Sequence, residues 1–369
     1  MTVRVLSDAV LTSAMLHRQW LDRRCRCTVV AAVRHLVGLQ AQAADAPYWG
    51  LWTRIEGFVQ RDLTASLESR AVVRAGVLRG TQHLVAADDY PWLRGLVQPI
   101  GVRNQRASFG RRTRDVDLDA VAAAARGLLQ DRTLTRPQLR DLLAVRFPGG
   151  DADALAWSVP SLVPVVHPPP NGTWRSGGAT PFALAEQWLG RAAIDLTPDP
   201  RALIERYLAA FGPASVADVQ VWSGLRGLAE VVDRMPLARF RDARGRELVD
   251  LPDAPRSDLG AESAVRFLPE FDNLVVAYAD RNRLMSDEVR QRVCVGSMIF
   301  PTLLIDGRVA GTWRLVRSPQ VITLEVTPFA SLSAGLLSEI HAEGARLLAF
   351  AAEPEKQPQI KVQSGAERS

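Results

Sequence analysis

The sequence predicts an α+β fold in which three successive helix-and-hairpin units precede a small C-terminal β-domain. Three observations carry this expectation. A weak repeat of helix, short turn, capped helix, further helix and hairpin can be followed three times along the chain. From about Val265 the apolar pattern changes to short alternating runs. With 369 residues the chain can also bury a sizeable core in two or three compact units.

The first unit spans about Ser7 to Ala86. SDAVLTSAMLHRQW and TVVAAVRHLVGLQ read as helices, and AVVRAGVL and GTQHLVAA as paired strands. The second spans about Asp117 to Arg175. There LDAVAAAARGLL is a helix, and LTRPQLRDLLAVRF opens with a capping box from Thr135 to Gln138. SLVPVVH and the turn-rich PPPNGTWRSGG then form a hairpin. In the third unit DPRALIERYLAAFG is a helix ended by Gly212, and ASVADVQVWSGL is a helix capped by Ser215. RGLAEVVDRM follows, and ARFRDARGRELVDL alternates as a hairpin about Arg244-Gly245. FLPEFDNLVVAYA, FPTLLIDGRVAGTWRLV and VITLEVTPF read as strands of the β-domain, with Asp306-Gly307 as a hairpin turn and a closing helix from Ser331 to Ala352.

The expected domains are therefore residues 1–100, 101–192, 193–260 and 261–352, with a polar, disordered tail over 353–369. Three helices closed by a β-hairpin is the layout of a winged helix, a helix-turn-helix variant used mostly on DNA. Three such units in a row would form a curved, arginine-lined body, although winged helices can also be structural or bind protein.

Composition narrows the function. The chain is 47% hydrophobic, yet no apolar run approaches the ~18 residues of a membrane helix. The N-terminus reads as no signal peptide, and three cysteines (Cys25, Cys27, Cys294) fit a reducing cytoplasm better than a disulfide framework. Net charge is +5 with a pI of about 9.5, and the only lysines are Lys356 and Lys361. Arginine therefore carries nearly all the positive charge. Residues 101–114 hold Arg103, Arg106, Arg111, Arg112 and Arg114 without an acid, and the third hairpin holds Arg239, Arg241, Arg244 and Arg246. Guanidinium groups in such segments suit phosphate contact, although a solvated basic loop has the same composition.

No metal or cofactor is expected. Cys25-x-Cys27 flanked by His17 and His35 lacks ordinary zinc spacing, and no phosphate-cradling glycine loop is present. Tyr48, Trp49 and Trp52 read as core, and Asp45 and Asp272 as cap or turn residues, with Asp45 a supporting candidate for the site. His83, on a strand, either contacts phosphate, orients a water or is a satisfied strand histidine.

Gln40-Ala41-Gln42 is the unusual feature. From spacing alone, two glutamines at a helix end more often hydrogen-bond its unpaired carbonyls. Residues i and i+2 converge only where the chain is extended, so a joint role needs the helix to stop near Leu39.

"LVGLQAQ…PYWGLW", "VLRGTQHLVAADDYPWL", "FLPEFDNLVVAYADRNRL" and "LIDGRVAGTWR" occur in that order. Together they resemble the bacterial AlkZ-like winged-helix DNA glycosylases over roughly residues 5 to 350. That resemblance implies removal of alkylated bases from double-stranded DNA, in some members unhooking of interstrand crosslinks, and catalysis by a Gln-x-Gln or Gln-x-Asp signature. It places Gln40 and Gln42 in that role. An N7- or N3-alkylated purine is already cationic and leaves without a general acid. An amide carbonyl can hold the attacking water and turn a negative dipole toward the sugar cation. Without a lysine before residue 356, a Schiff-base lyase step is not expected. The expectation is a monofunctional, monomeric, nucleoid-associated enzyme for repair of or self-resistance to alkylating agents. The alternative is a non-catalytic winged-helix regulator.

Overall fold

The computed structural model describes residues 4–256, 265–353 and 355–363. Ser7 starts the first helix, Asp8–Arg18, by accepting from the Val10 amide. Thr28 likewise caps Val29–His35 through the Ala31 amide. This second helix stops short of its expected end. Val37 and Gly38 adopt φ of 56° and 98° and turn the chain out of the helix. Glycine is required at 38, because a Cβ there would lie 2.9 Å from Val85 and 3.0 Å from the Leu84 carbonyl oxygen. The chain then runs extended through Leu39–Gln40 and pairs with Gln82–Ala86, whose other edge carries Val72–Gly76. The predicted hairpin has thus gained a third strand, and that strand holds the first glutamine of the motif. Helices Ala46–Trp52 and Gln60–Glu68 fill the connection between them.

The basic stretch 101–114 is mostly helical, since Tyr90–Phe109 runs through it. Helices Leu118–Leu129 and Arg136–Arg146 follow, the latter with the expected Thr135–Gln138 capping box. Ala152–Leu162 is a helix that the sequence reading lacks, with Pro160 in its last turn. The expected hairpin strand SLVPVVH is correspondingly cut down to Val165–Val166. It pairs with Pro181–Leu184, which also pairs with Leu134–Thr135.

In the third group, helices Pro200–Phe211, Val216–Ser223 and Ala229–Asp233 precede a hairpin of Ala238–Asp242 and Glu247–Asp250. The N-terminal strand Arg4–Leu6 lies parallel to Ala238–Asp242, so the start of the chain completes the third group's sheet. The expected division at 260–261 lies outside the described residues.

The C-terminal sheet has five strands in the order Val265–Leu268, Thr302–Ile305, Arg308–Arg317, Val321–Pro328 and Gln357–Val362, and helix Ala334–Phe350 packs on it. Two expectations are corrected. NLVVAYA is not a strand: Asn273–Val276 is a 3-10 turn whose four side chains are all buried. Nor is the whole tail disordered, because Gln357–Val362 adds a parallel edge strand to Val321–Pro328. Alternating Ile360 and Val362 give that strand a half-buried face against the apolar cluster beneath. Residues 364–369 lie outside the described residues.

Two large apolar clusters cross these divisions, besides a small one of Leu6, Leu11, Phe240 and Leu248. One joins the first hairpin (Val73, Val77, Val85) to the third group (Tyr207, Phe211, Trp222). The other joins Val33, Tyr48 and Trp52 to the C-terminal sheet and Phe350. Only the second group keeps a separate core, around Leu129, Leu139, Leu155 and Phe182. The segment carrying the two glutamines is therefore gripped by its own unit, the third group and the β-domain. Among the described residues, no helix is long and apolar enough to cross a membrane.

Candidate active site

Gln40 sits directly opposite His83 in the first sheet. The backbone stays in the ladder for one more residue, Ala41 donating to the Gln82 carbonyl at 2.8 Å, and then bends at Gln42. The two amides are treated differently. Gln40 is 9% exposed, and its Oε1 accepts from Arg79 Nη2 at 2.9 Å. Gln42 is exposed, and its side chain has no hydrogen bond among the described residues.

Two arginines of the hairpin turn inward on the motif. Arg74 donates from Nε to the Ala41 carbonyl at 2.9 Å and from Nη2 to the Gln42 carbonyl at 3.4 Å, while Nη1 reaches Asn171 Oδ1. Arg79 meets Gln40 and the Trp222 carbonyl. Neither forms an ion pair with a carboxylate among the described residues. Burial lowers both guanidinium groups to about 10, and the charge of Arg281 adds to the effect on Arg79.

His83 proves to be a satisfied strand histidine. It is fully buried, and its Nδ1 lies 3.0 Å from the Thr81 carbonyl, an acceptor, so Nδ1 carries the proton. Nε2 is left as the acceptor facing Arg79 at 3.4 Å. Burial, and after it the charge of Arg79, pushes the ring down to about 3. His83 is thus neutral and supports Arg79.

Asp45 occupies the cap position of helix Ala46–Trp52 without capping it. Its carboxylate accepts from the Arg175 amide at 2.7 Å instead. A cavity of about 530 Å3 opens immediately after Gln42, lined by Ala43, Ala44, Asp45, Arg175, Ser176, Glu270, Arg317 and Glu353. Burial raises the carboxyl groups of Asp45 and Glu270, and for Glu270 the charge of Asp45 adds to it. Lys356 stands closer to this cavity than its place in the sequence suggests, its ammonium held by Glu353 at 2.9 Å.

The PEFDN segment braces the motif from the β-domain. Asn273 Nδ2 donates to the Gly38 carbonyl at 2.6 Å, two residues before Gln40. Asp272 caps the turn Asn273–Val276, as expected of a turn residue. It also holds the buried Arg54 bidentately at 2.8 and 2.9 Å, and Arg54 in turn bonds the Gly50 carbonyl and Gln19. Trp49 stacks edge-on against Trp174, Trp313 and Phe350, and Tyr48, Trp49 and Trp52 are all buried, as their spacing predicts. The four sequence motifs are thus one contiguous support for the glutamine strand.

The family model for AlkZ-like DNA glycosylases matches residues 33–350. This chain belongs to the AlkZ-like DNA glycosylase family. An interstrand DNA cross-link repair glycosylase of Streptomyces sahachiroi is 24% identical over 339 residues, covering 84% of this chain and 88% of that protein. The solved structure of the S. sahachiroi DNA glycosylase AlkZ shares the fold, with a TM-score of 0.78 and 20% identity over 97% of this chain and all of that one.

In this AlkZ-like chain the basic residues divide sharply. Arg103, Arg106 and Arg111 are exposed and have no acidic partner among the described residues. The helix that carries Arg103 and Arg106 passes beside the Arg79 turn, for a Cβ on Gly80 would lie 2.5 Å from Asn104 Nδ2. Arg112 instead holds Asp151 bidentately, and Arg114 holds Asp115. All four arginines of the third hairpin also meet acids: Arg239 with Asp233, Arg241 with Glu247, Arg244 with Asp280, and Arg246 with Asp242 and Asp280. Of the residues considered for zinc, the two histidines have other partners. His17 pairs with Asp22, and His35 stacks on Trp20 and bonds the Arg18 carbonyl. Sequence reasoning missed Arg74, Arg79 and Glu270. A usable signal was there for the first two: a pair of arginines inside the otherwise apolar hairpin VVRAGVLRG.

Proposed function

We propose that this chain is a monofunctional DNA glycosylase. It hydrolyses the N-glycosidic bond of cationic alkylated purines (N7 and N3 adducts, bulky genotoxin adducts and interstrand crosslinks among them) in double-stranded DNA. The observation that carries the reading is a Gln-x-Gln segment that leaves its strand at the second glutamine, fixed on three sides, with that second amide exposed beside a cavity. That the S. sahachiroi relative is an interstrand DNA cross-link repair glycosylase supports the crosslink part of the substrate range.

The chemistry follows from what is present. A cationic purine leaves with the bonding electrons and becomes neutral, so no proton donor is required. The sugar is left as an oxocarbenium ion, and the side-chain carbonyl of Gln42 is free to hold the water that attacks it. Removal of the base then yields an abasic site in an intact strand. Lys356, the one described lysine near this region, has its Nζ engaged by Glu353 at 2.9 Å.

In this reading the three helix groups are winged-helix units forming a concave body, and Arg103, Arg106 and Arg111 contact phosphates without reading sequence. The remaining basic candidates reach DNA only after giving up their acids. The protein acts as a monomer on the nucleoid, in repair of or self-resistance to alkylating agents. The test is a duplex carrying a single N7-methylguanine. Release of free base, with strand breakage only after alkaline treatment and no borohydride-trapped adduct, is expected. Failure to release base from N7-methylguanine, N3-methyladenine and crosslinked duplexes alike would refute the reading.

A further inference from the structure

A guanidinium group only donates hydrogen bonds. The Gln40 atom 2.9 Å from Arg79 Nη2 must therefore be the carbonyl oxygen, and this decides which way the amide faces. Its Nε2 group is turned away from Arg79.

Arg79 is itself held by more than it needs for packing. Its backbone has φ 56° and ψ 6°, a strained conformation for a side chain of this size. Nη1 donates to the Trp222 carbonyl in the last turn of helix Val216–Ser223, the negative end of that helix. Gly224 follows at φ 80°, and a Cβ there would come within 3.1 Å of Arg79 Cα and 3.2 Å of Ile100. His83 Nε2 supplies a third neutral acceptor. A cation enclosed in this way with no carboxylate among the described residues is costly to keep, so its retention calls for a task.

We propose that Arg79 is a positioning residue that locks the Gln40 amide, so that Gln40 presents its N–H groups to an acceptor on the lesion-bearing nucleotide and Gln42 alone supplies the carbonyl that holds water. This rests on the glycosylase reading. An oxygen already engaged by a cation is a poor acceptor for a water proton and cannot favour a sugar cation, whereas the opposite side of the same amide is a free donor. The two glutamines then have different duties: the buried one orients the substrate, and the exposed one orients the nucleophile.

The experiment compares wild type, Gln40→Ala, Gln40→Glu, Arg79→Met and Arg79→Met/Gln40→Ala. Each is measured for thermal midpoint, affinity for undamaged duplex and single-turnover excision of N7-methylguanine. Gln40→Glu keeps an oxygen on Arg79 and gives it a counter-charge but has no N–H to offer. Its midpoint should rise by about 2–4 °C while excision falls about ten- to a hundredfold. Arg79→Met should lower excision by about the same factor as Gln40→Ala at unchanged affinity, and the double substitution should add little.

Excision by Gln40→Glu close to wild type would show that Gln40 works through its oxygen and would overturn the proposal. So would an additive double substitution, or a fall in affinity and salt dependence for Arg79→Met, which would make Arg79 a phosphate contact. A Gln40→Glu midpoint below that of Gln40→Ala would show that the contact itself is absent. If wild type released no base while that midpoint still rose, the glycosylase reading would fail and the Arg79 lock would stand.

Discussion

Two hairpins of this chain carry arginines and use them in opposite ways. In the first, Val72–Ala86, Arg74 and Arg79 turn inward and spend their donors on carbonyl oxygens of the glutamine segment and its surroundings. In the third, Ala238–Asp250, Arg239, Arg241, Arg244 and Arg246 lie at the surface, each beside an acid. By sequence the third hairpin is the better candidate for function, because its charge density is higher. In the folded chain, what an arginine is paired with says more than how many stand together. A guanidinium already neutralised by a carboxylate has little left for a phosphate, while one enclosed without a carboxylate is kept for what it organises.

The largest effect is expected at Arg54, a buried arginine beside the site that does have its carboxylate. Asp272→Ala should destabilise the protein by about 3–5 kcal/mol in denaturant unfolding, because it leaves Arg54 buried and unpaired. Arg79→Met, which removes an unpaired cation, should cost far less stability. Equal losses for the two would erase the distinction drawn between paired and unpaired buried cations.

Next in size are the amides. Gln40→Ala or Gln42→Ala should reduce excision about ten- to a thousandfold with little change in midpoint or in affinity for undamaged duplex. Near-wild-type excision by the double substitution would remove both residues from the mechanism.

A pH effect on stability is expected next. His83 and His167, the latter just after the strand Val165–Val166 with its Nδ1 2.9 Å from the Pro181 carbonyl, are held down by burial to about 3 and about 4, against an ordinary value of 6.5. Because the unfolded chain takes up these protons first, their contribution to stability is complete above about pH 6.5 and is lost as pH falls toward 4 and then 3. The midpoint should fall over that range, and His83→Asn should flatten part of the fall. Excision should show no limb near pH 6.5 from His83, which is neutral on both sides of it.

The smallest effects concern DNA affinity. Neutralising Arg103, Arg106 and Arg111 should weaken binding to any duplex and reduce the salt slope by about one unit for each of the three that touches a phosphate. The same treatment of Arg239 and Arg241 should leave slope and midpoint close to wild type. A larger change from the hairpin pair would mean that DNA displaces Asp233 and Glu247 and that pairing in the free protein is a poor guide.

What could be read from the sequence followed from local physics. Ser7, Thr28, Thr135 and Ser215 announce their helices by capping, and Asp306-Gly307 and Arg244-Gly245 announce their turns. The hairpin of Val72–Gly76 and Gln82–Ala86 was legible from its apolar runs. What could not be read depends on partners distant in the chain. The end of the second helix is set by Gly38 meeting Leu84 and Val85. NLVVAYA looks like a strand because it is apolar, but it is apolar because it is buried behind the glutamine strand, where Asn273 reaches Gly38. The edge strand Gln357–Val362 has too few apolar residues to declare itself and is ordered by the strand beside it. At the site, Gln40 and Gln42 were visible as a motif, but their unequal burial depends on Arg79 and the bend at Gln42, which no spacing rule contains.

The mechanism stands on one substitution of roles: the leaving group's own positive charge takes the place of a general acid. Single-turnover excision from matched duplexes carrying N7-methylguanine or uracil, with wild type, Gln42→Asp and Gln42→Leu, measures this without intermediate steps. Wild type should release N7-methylguanine and leave uracil in place. Gln42→Asp, which keeps an acceptor oxygen for the water, should retain more activity on the cationic base than Gln42→Leu. Efficient removal of uracil by the wild-type protein would reveal a proton donor at the site and contradict the mechanism.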